Sequence, residues 1–201
     1  MSMIMTANSL TKRAYSGNTL FRDENYRKNR KGHDLVSADR KALSRALDQL
    51  GTLDFDTEEQ TDTKNIYNTI TSYLDVYNNA VSSTTNSGKS QIERIGKQMR
   101  ALMKEYDQEL SDIGIDIKSD GTVKVNTTEL KKATTVKVAK VFGNDEYISD
   151  MSRLMKKLRN QVNRYMTGDT ATSTTAKKQT DTTKNSALES ETVGSNLNLY
   201  A

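Results

Sequence analysis

The chain has 201 residues, of which 34 % are hydrophobic and 28 % charged, with a net charge of +4 and a mean hydropathy of −0.77. An apolar share below the roughly 45–50 % of typical globular domains predicts a modest core flanked by segments that bury little. The absence of cysteine excludes disulfides, thiolate nucleophiles and cysteine-ligated metals, and no apolar run approaches the roughly 20 residues of a membrane-spanning helix.

The N-terminal segment, residues 1–33, shows little hydrophobic periodicity. Asn, Ser, Thr and Gly are scattered through it, and a basic run extends from Arg27 to Lys31. A flexible basic segment is therefore predicted. The apolar run at its start is too short for a secretory signal peptide, so any export is expected to proceed without a cleaved signal.

Helical spacing begins after this segment. A helix is predicted to open at Asp34 or Ser37, because Leu43, Leu47 and Leu50 recur on one face. Gly51 follows at the position where a left-handed glycine commonly ends a helix. The helical domain is therefore predicted to start at residue 34.

Two further helices carry heptad stripes. In the first, Ile66, Ile70, Tyr73 and Tyr77 alternate steps of four and three residues. The second has the same spacing at Ile92, Ile95, Met99, Leu102 and Tyr106. Its start, from Ser90 to Glu93, matches a capping box. The short polar loop between the two helices predicts an antiparallel helical hairpin.

The period changes from helical to alternating near residues 113–125. Ile113, Ile115 and Ile117 precede Asp120-Gly121, and Val123 and Val125 follow it. Alternating β-branched residues around Asp-Gly predict a β-hairpin. Since two strands alone are barely stable in water, this hairpin is expected to lie against the helices.

Residues 126–166 predict more helix, and residues 167–201 predict disorder. Asn126 offers a helix start, an apolar patch extends from Val136 to Phe142, and an amphipathic basic helix begins at Asp145. The Ser/Thr-rich tail from Thr167 buries too little to offset its ordering entropy.

The order of short motifs in the middle of the chain is distinctive. Tyr77-Asn78 is followed by the run from Leu110 to Ile115, by the hairpin from Ile117 to Val123, and by the run from Val138 to Gly143. This succession resembles the C-terminal region of the flagellar hook-associated protein 2 family, the filament cap. The resemblance covers about residues 65–166.

The resemblance implies a secreted, oligomeric structural protein of the bacterial flagellum, with coiled-coil helices and a small β-hairpin. Its expected partners are flagellin, hook-associated proteins or further copies of itself, and its expected location is the flagellum or the cell exterior; the alternative location is the cytoplasm. The family's C-terminal helix continues its heptads, whereas residues 167–201 lose them. A reduced or diverged member is therefore expected.

Nothing in the sequence predicts an enzyme, a cofactor or a metal site. Phosphate-binding and dinucleotide-binding glycine motifs are absent, and His33 is the only histidine. The acidic run from Asp54 to Glu59 lacks the glycine and spacing of a calcium loop, and it suits a helix N-terminus better. A non-enzymatic protein is predicted.

The predicted fold is mainly α: an antiparallel helical hairpin or bundle with a small β-hairpin packed against it, and disordered termini. The side chains proposed for packing or interfaces are Ile66, Ile70, Tyr73, Tyr77, Ile92, Met99, Tyr106 and Leu158. The proposed basic patches are Arg27, Lys28, Arg30 and Lys31 near the N-terminus, and Arg153, Lys156, Lys157 and Arg164 on the last helix.

These patches leave a second function open. Basic residues in a flexible arm can bind the phosphates of nucleic acid without a recognisable fold. The alternative is therefore a helical protein that binds nucleic acid through its N-terminal arm. A protein partner remains the first expectation, because the chain contains no known nucleic-acid-binding motif.

Overall fold

The computed structural model describes residues 5–16, 27–56 and 60–174. These residues form eight helices and one two-stranded antiparallel sheet, which confirms the predicted mainly-α class with a β-hairpin. The helices are α1 (Ala7–Ser16), α2 (Gly32–Leu50), α3 (Gln60–Thr85), α4 (Ser90–Glu105), α5 (Asp107–Ser111), α6 (Thr127–Leu130), α7 (Thr135–Phe142) and α8 (Asp145–Thr174). The strands are β1 (Ile115–Ile117) and β2 (Val123–Val125).

Four of the helices close into a ring around the core. Helix α3 packs between α2 and α4, and α8 completes the ring by packing against both α2 and α4. Helix α1 packs against α2 and α3. The heptad stripes of α3 and α4 face the interior, where their large apolar side chains are almost fully enclosed.

The β-hairpin has the register Asp116↔Lys124 and a turn that differs from a simple two-residue loop. The Gly121 amide donates to the Lys118 carbonyl at 2.9 Å, and Gly121 has a φ of +80°. This is a three-residue loop in which glycine takes the left-handed position. The Arg100 side chain lies where a Cβ at residue 121 would be, so glycine is required there for space as well as for conformation.

The prediction of a flexible segment over residues 1–33 is wrong where α1 forms. Leu10, Ala14 and Tyr15 of α1 are buried against the bundle. Ten residues are too few for a stable isolated helix, so this helix depends on its packing rather than on local propensity. Residues 17–26, also predicted to be flexible, lie outside the described residues.

Two helix boundaries near the termini differ from the predicted ones. Helix α2 begins at Gly32 instead of Asp34, and α8 continues to Thr174, so the predicted disordered tail does not begin at Thr167. The remainder of that tail, residues 175–201, lies outside the described residues.

Two predicted helix caps are also wrong. Lys89 is the N-cap of α4 and no side chain caps this helix, so the capping box at Ser90 does not form. Gly51 ends α2 with a right-handed φ of −67° instead of a left-handed one.

Candidate functional site

The side chains proposed for packing or interfaces lie almost entirely in the core. Seven of them are at most 1 % exposed: Ile66, Ile70, Tyr73, Tyr77, Ile92, Met99 and Leu158. Tyr106 is partly buried at the core's edge. Of the eight, only Tyr106 therefore reaches the surface to any degree.

A cluster of aromatic rings joins three helices inside the bundle. The hydroxyl groups of Tyr73 and Tyr147 lie 2.6 Å apart, and the Tyr147 ring meets Tyr106 and Phe142 edge-on, with centroids 5.3 and 6.3 Å away. Burial raises the pKa of the Tyr73 and Tyr147 phenols, because a phenolate would lose its hydration. These phenols are neutral hydrogen-bonding groups that fix the packing of α3 on α8.

The β-hairpin is fastened to α3 by two adjacent side chains. The Asn78 amide donates to the Val123 carbonyl at 2.9 Å and accepts from the Val123 amide at 2.7 Å. The Tyr77 hydroxyl donates to the Gly121 carbonyl at 3.1 Å. Asn78 therefore satisfies backbone groups of the outer edge of β2, which a two-stranded sheet leaves unpaired.

A buried carboxylate connects the N-terminal helix to α2. Asp39 is fully enclosed; it accepts from the Tyr15 hydroxyl at 2.8 Å and forms an ion pair with Arg27 at 3.1 Å. Burial raises the pKa of the Asp39 carboxyl, and the bonds from Tyr15 and Arg27 act in the opposite direction. Arg27 therefore has a structural role as the counterion of Asp39.

The N-terminal basic patch is therefore smaller than predicted. Arg27 is directed toward Asp39, and Arg30 is half-buried, whereas Lys28 and Lys31 are exposed. Of the four predicted patch residues, two lysines present their side chains to solvent. This reduces the number of phosphates that the arm alone can neutralise.

The basic residues of α8 lie on different sides of that helix. Arg153 and Lys157 line a half-open groove of about 270 Å³ between α4 and α8, called here the α4–α8 groove. Its lining also includes Leu102, Glu105, Asp150 and Leu154. Arg153 forms an ion pair with Asp150 at 3.0 Å, so both signs of charge occur along this groove.

The other two predicted basic residues of α8 lie apart from this groove. Lys156 lines a second cleft, of about 250 Å³, between α2 and α8, together with Arg40 and Arg159. Arg164 is exposed further along α8. The structure therefore separates the predicted α8 patch into two surfaces, one mixed in charge and one basic.

The described residues contain no group of three His, Cys, Asp or Glu side chains placed to hold a metal ion. Among the helices of the described ranges, none is both long enough and apolar enough to cross a bilayer. Comparison of the chain with protein-family models, with curated proteins and with solved structures finds no significant match to any of them.

Sequence reasoning missed two buried polar side chains that organise the core. Asp39 lies three residues after Val36 and four before Leu43, on the same buried face of α2. Tyr147 lies four residues before Met151 on the buried face of α8. A polar residue at helical spacing within an apolar stripe was the available signal for both.

Proposed function

We propose that this protein is a non-enzymatic assembly subunit of the bacterial flagellum, related to the filament cap and acting through protein–protein association. The observation that carries the proposal is the way the cap-like motifs meet. Tyr77 and Asn78 bond to Gly121 and Val123, although more than forty positions separate them in sequence. Two of the motifs that carry the resemblance, Tyr77-Asn78 and the hairpin, are thus bonded to each other.

A second contact ties the same unit together. The Tyr67 hydroxyl on α3 donates to the Ala133 carbonyl at 2.6 Å, in the segment between α6 and α7. Helix α3 is therefore bonded both to the hairpin and to the chain that follows it. A rigid unit of this kind suits a structural subunit, whose contact surface has to be held in one shape.

The α4–α8 groove is the surface that we assign to association. Leu102 and Leu154 contribute apolar lining, while Glu105 and Lys157 offer opposite charges. Tyr106 follows α4 directly and packs on α8 through Tyr147. A groove that combines apolar lining with both signs of charge suits a protein partner that presents complementary charges.

The proposal is tested in the bacterium that encodes the chain. The protein is expected in the shed filament fraction, bound to flagellin, to a hook-associated protein or to further copies of itself. The double substitution R153E/K157E is expected to weaken that association at least tenfold, because it reverses two charges in the α4–α8 groove.

The matched control is K131E/K132E, which reverses two exposed lysines outside the groove. Retention of the wild-type protein inside the cell would contradict export and favour the cytoplasmic alternative. Equal loss of association in both double variants would remove the assignment of the groove.

Nucleic-acid binding through the N-terminal arm is the second candidate, and the exposure of Lys28 and Lys31 favours it. It predicts binding of unrelated single-stranded DNA that weakens steeply with salt. K28Q/K31Q is expected to lower the slope of affinity against salt, whereas K131Q/K132Q leaves it unchanged. If the first pair leaves both affinity and slope unchanged, the arm is not the binding element.

A further inference from the structure

The cleft between α2 and α8 has polar side chains at helical spacing on both walls, and Leu47 and Met155 also contribute to its lining. Arg40 and Ser44 are four residues apart on α2, and Ser152, Lys156 and Arg159 follow steps of four and three on α8. Such spacing places the members of each set on one face of their helix. Two facing rows of cations and hydroxyl groups therefore enclose a volume of about 250 Å³.

Arg40 is the unusual member of this set. Its side chain is half-buried, its Nε atom is fully enclosed, and that atom has no hydrogen-bond partner. Arg45, on the same helix, donates to the carbonyl oxygens of Ala14 and Tyr15 at 2.9 and 3.2 Å. A buried donor without an acceptor is costly, so the Arg40 guanidinium is held at the cleft with less hydrogen bonding than the guanidinium of Arg45 receives.

The charges around the cleft are also uncompensated. Arg40, Lys156 and Arg159 carry three positive charges, and Asp48 is the one carboxylate in the lining, which leaves two in excess. Among the described residues, no ion pair joins Asp48 to Arg40, Lys156 or Arg159. Burial, and then the charge of Arg159, lowers the pKa of the Arg40 guanidinium, as expected where like charges lack a counterion.

We propose that the α2–α8 cleft binds a phosphate group, with Arg40 as its central ligand and Lys156 and Arg159 completing the charge balance. A phosphate monoester carries about −1.5 to −2 charges at neutral pH, which matches the excess of two. Its oxygens are arranged tetrahedrally, so it accepts from α2 and α8 at once. A carboxylate offers a single charge and two oxygens, which would leave part of this donor set unused.

The ligand in the test is inorganic phosphate, titrated into the full-length chain in a calorimeter at fixed ionic strength, with chloride as the reference anion. Wild type is expected to bind phosphate with one site per chain. R40Q and R159Q are each expected to weaken binding about tenfold or more, since each removes a charge-assisted donor. K132Q is the matched control: it removes an equal charge at an exposed lysine outside the cleft and is expected to change the affinity less than about twofold.

R159Q keeps the test decisive if R40Q does not fold, because Arg159 is exposed. A parallel titration with glycerol 1-phosphate separates the two sources of the group: tighter binding assigns the cleft to a phosphate ester, and equal binding assigns it to the free ion. Phosphate binding no stronger than that of chloride would overturn the proposal. So would equal weakening by R159Q and K132Q, since the effect would then be one of overall charge.

Discussion

The hydroxyl oxygens of Tyr73 and Tyr147 lie 2.6 Å apart at a site where neither side chain is exposed. One of the two must donate to the other, and the Tyr147 hydroxyl also lies 3.8 Å from the sulfur of Met103. Three elements of the ring, α3, α4 and α8, therefore meet at one pair of phenols. Since buried phenols are costly without partners, the Tyr73 hydroxyl depends on Tyr147, whereas the Tyr147 hydroxyl also has the Met103 sulfur as an acceptor.

Tyr147→Phe is expected to lower the free energy of unfolding by about 1–2 kcal/mol, because it leaves the Tyr73 hydroxyl without its partner. Tyr73→Phe is expected to cost less, because the Tyr147 hydroxyl keeps the Met103 sulfur as an acceptor. The double variant is expected to lose clearly less than the sum, since it leaves neither hydroxyl behind. Urea unfolding of the four proteins measures this coupling, and strictly additive losses would show that the two hydroxyl groups do not depend on each other.

The same phenols predict a loss of stability in alkali. Burial raises the pKa of Tyr73 and Tyr147 above the ordinary value of 10.0, which applies in the unfolded chain. Below pH 10 the two phenols contribute fully to the stability of the folded chain. Above pH 10 the unfolded chain has released phenolic protons that the folded chain still holds. The free energy of unfolding therefore falls with rising pH.

Thermal unfolding across this alkaline range, together with tyrosinate absorbance, measures the effect. Each buried phenol contributes a slope of up to about 1.4 kcal/mol per pH unit. Tyr147→Phe is therefore expected to make the fall shallower. An unchanged slope would mean that Tyr147 ionises equally in both states.

Asn78→Ala is expected to loosen the β-hairpin from α3. The substitution leaves the amide and carbonyl of Val123 without their partner, at a cost of about 2 kcal/mol. Asn86→Ala is the control, because this exposed residue follows the end of α3 and its side-chain amide donates to the Ser82 carbonyl of that helix, away from the hairpin. Hydrogen exchange at β1 and β2 should rise in the Asn78 variant alone. Equal protection in both variants would show that Asn78 does not hold the hairpin on α3.

Arg27→Ala is expected to release α1 from the bundle. It removes the cation from Asp39, whose side chain is fully buried, but Arg27 itself is 35 % exposed. We therefore expect a loss of about 2 kcal/mol, below the value for a fully buried pair. Lys28→Ala, at an exposed neighbour, is the control. Hydrogen exchange of the α1 amides should accelerate only in the Arg27 variant; unchanged protection would show that α1 is held by its apolar contacts alone.

The elements that sequence could predict are those with a local signal. The heptads of α3 and α4 and the alternating run around Asp120-Gly121 depend on neighbours only a few positions away. Val136 shows where this fails: the sequence pattern groups it with Val138, Val141 and Phe142, yet it is 69 % exposed. Helix α7 directs the other three inward at helical spacing and leaves Val136 on the opposite face.

The interaction surfaces were less accessible to sequence reasoning. The α2–α8 cleft combines Arg40 with Arg159, which are far apart in the chain and become neighbours only when the ring closes. The bonds of Asn78 to Val123 likewise depend on tertiary placement. A basic residue in the sequence also cannot reveal whether it is paired, as Arg27 is, or without a counterion, as Arg40 is.

The closure of the ring by α8 has a consequence for the order in which the chain can fold. Contacts between α2 and α8 join residues on either side of most of the described chain, so they raise the contact order of an otherwise locally connected helical protein. During synthesis the α2 face that receives α8 stays uncovered until α8 has left the ribosome. The α3–α4 hairpin can assemble early, whereas the core described here has to wait for α8.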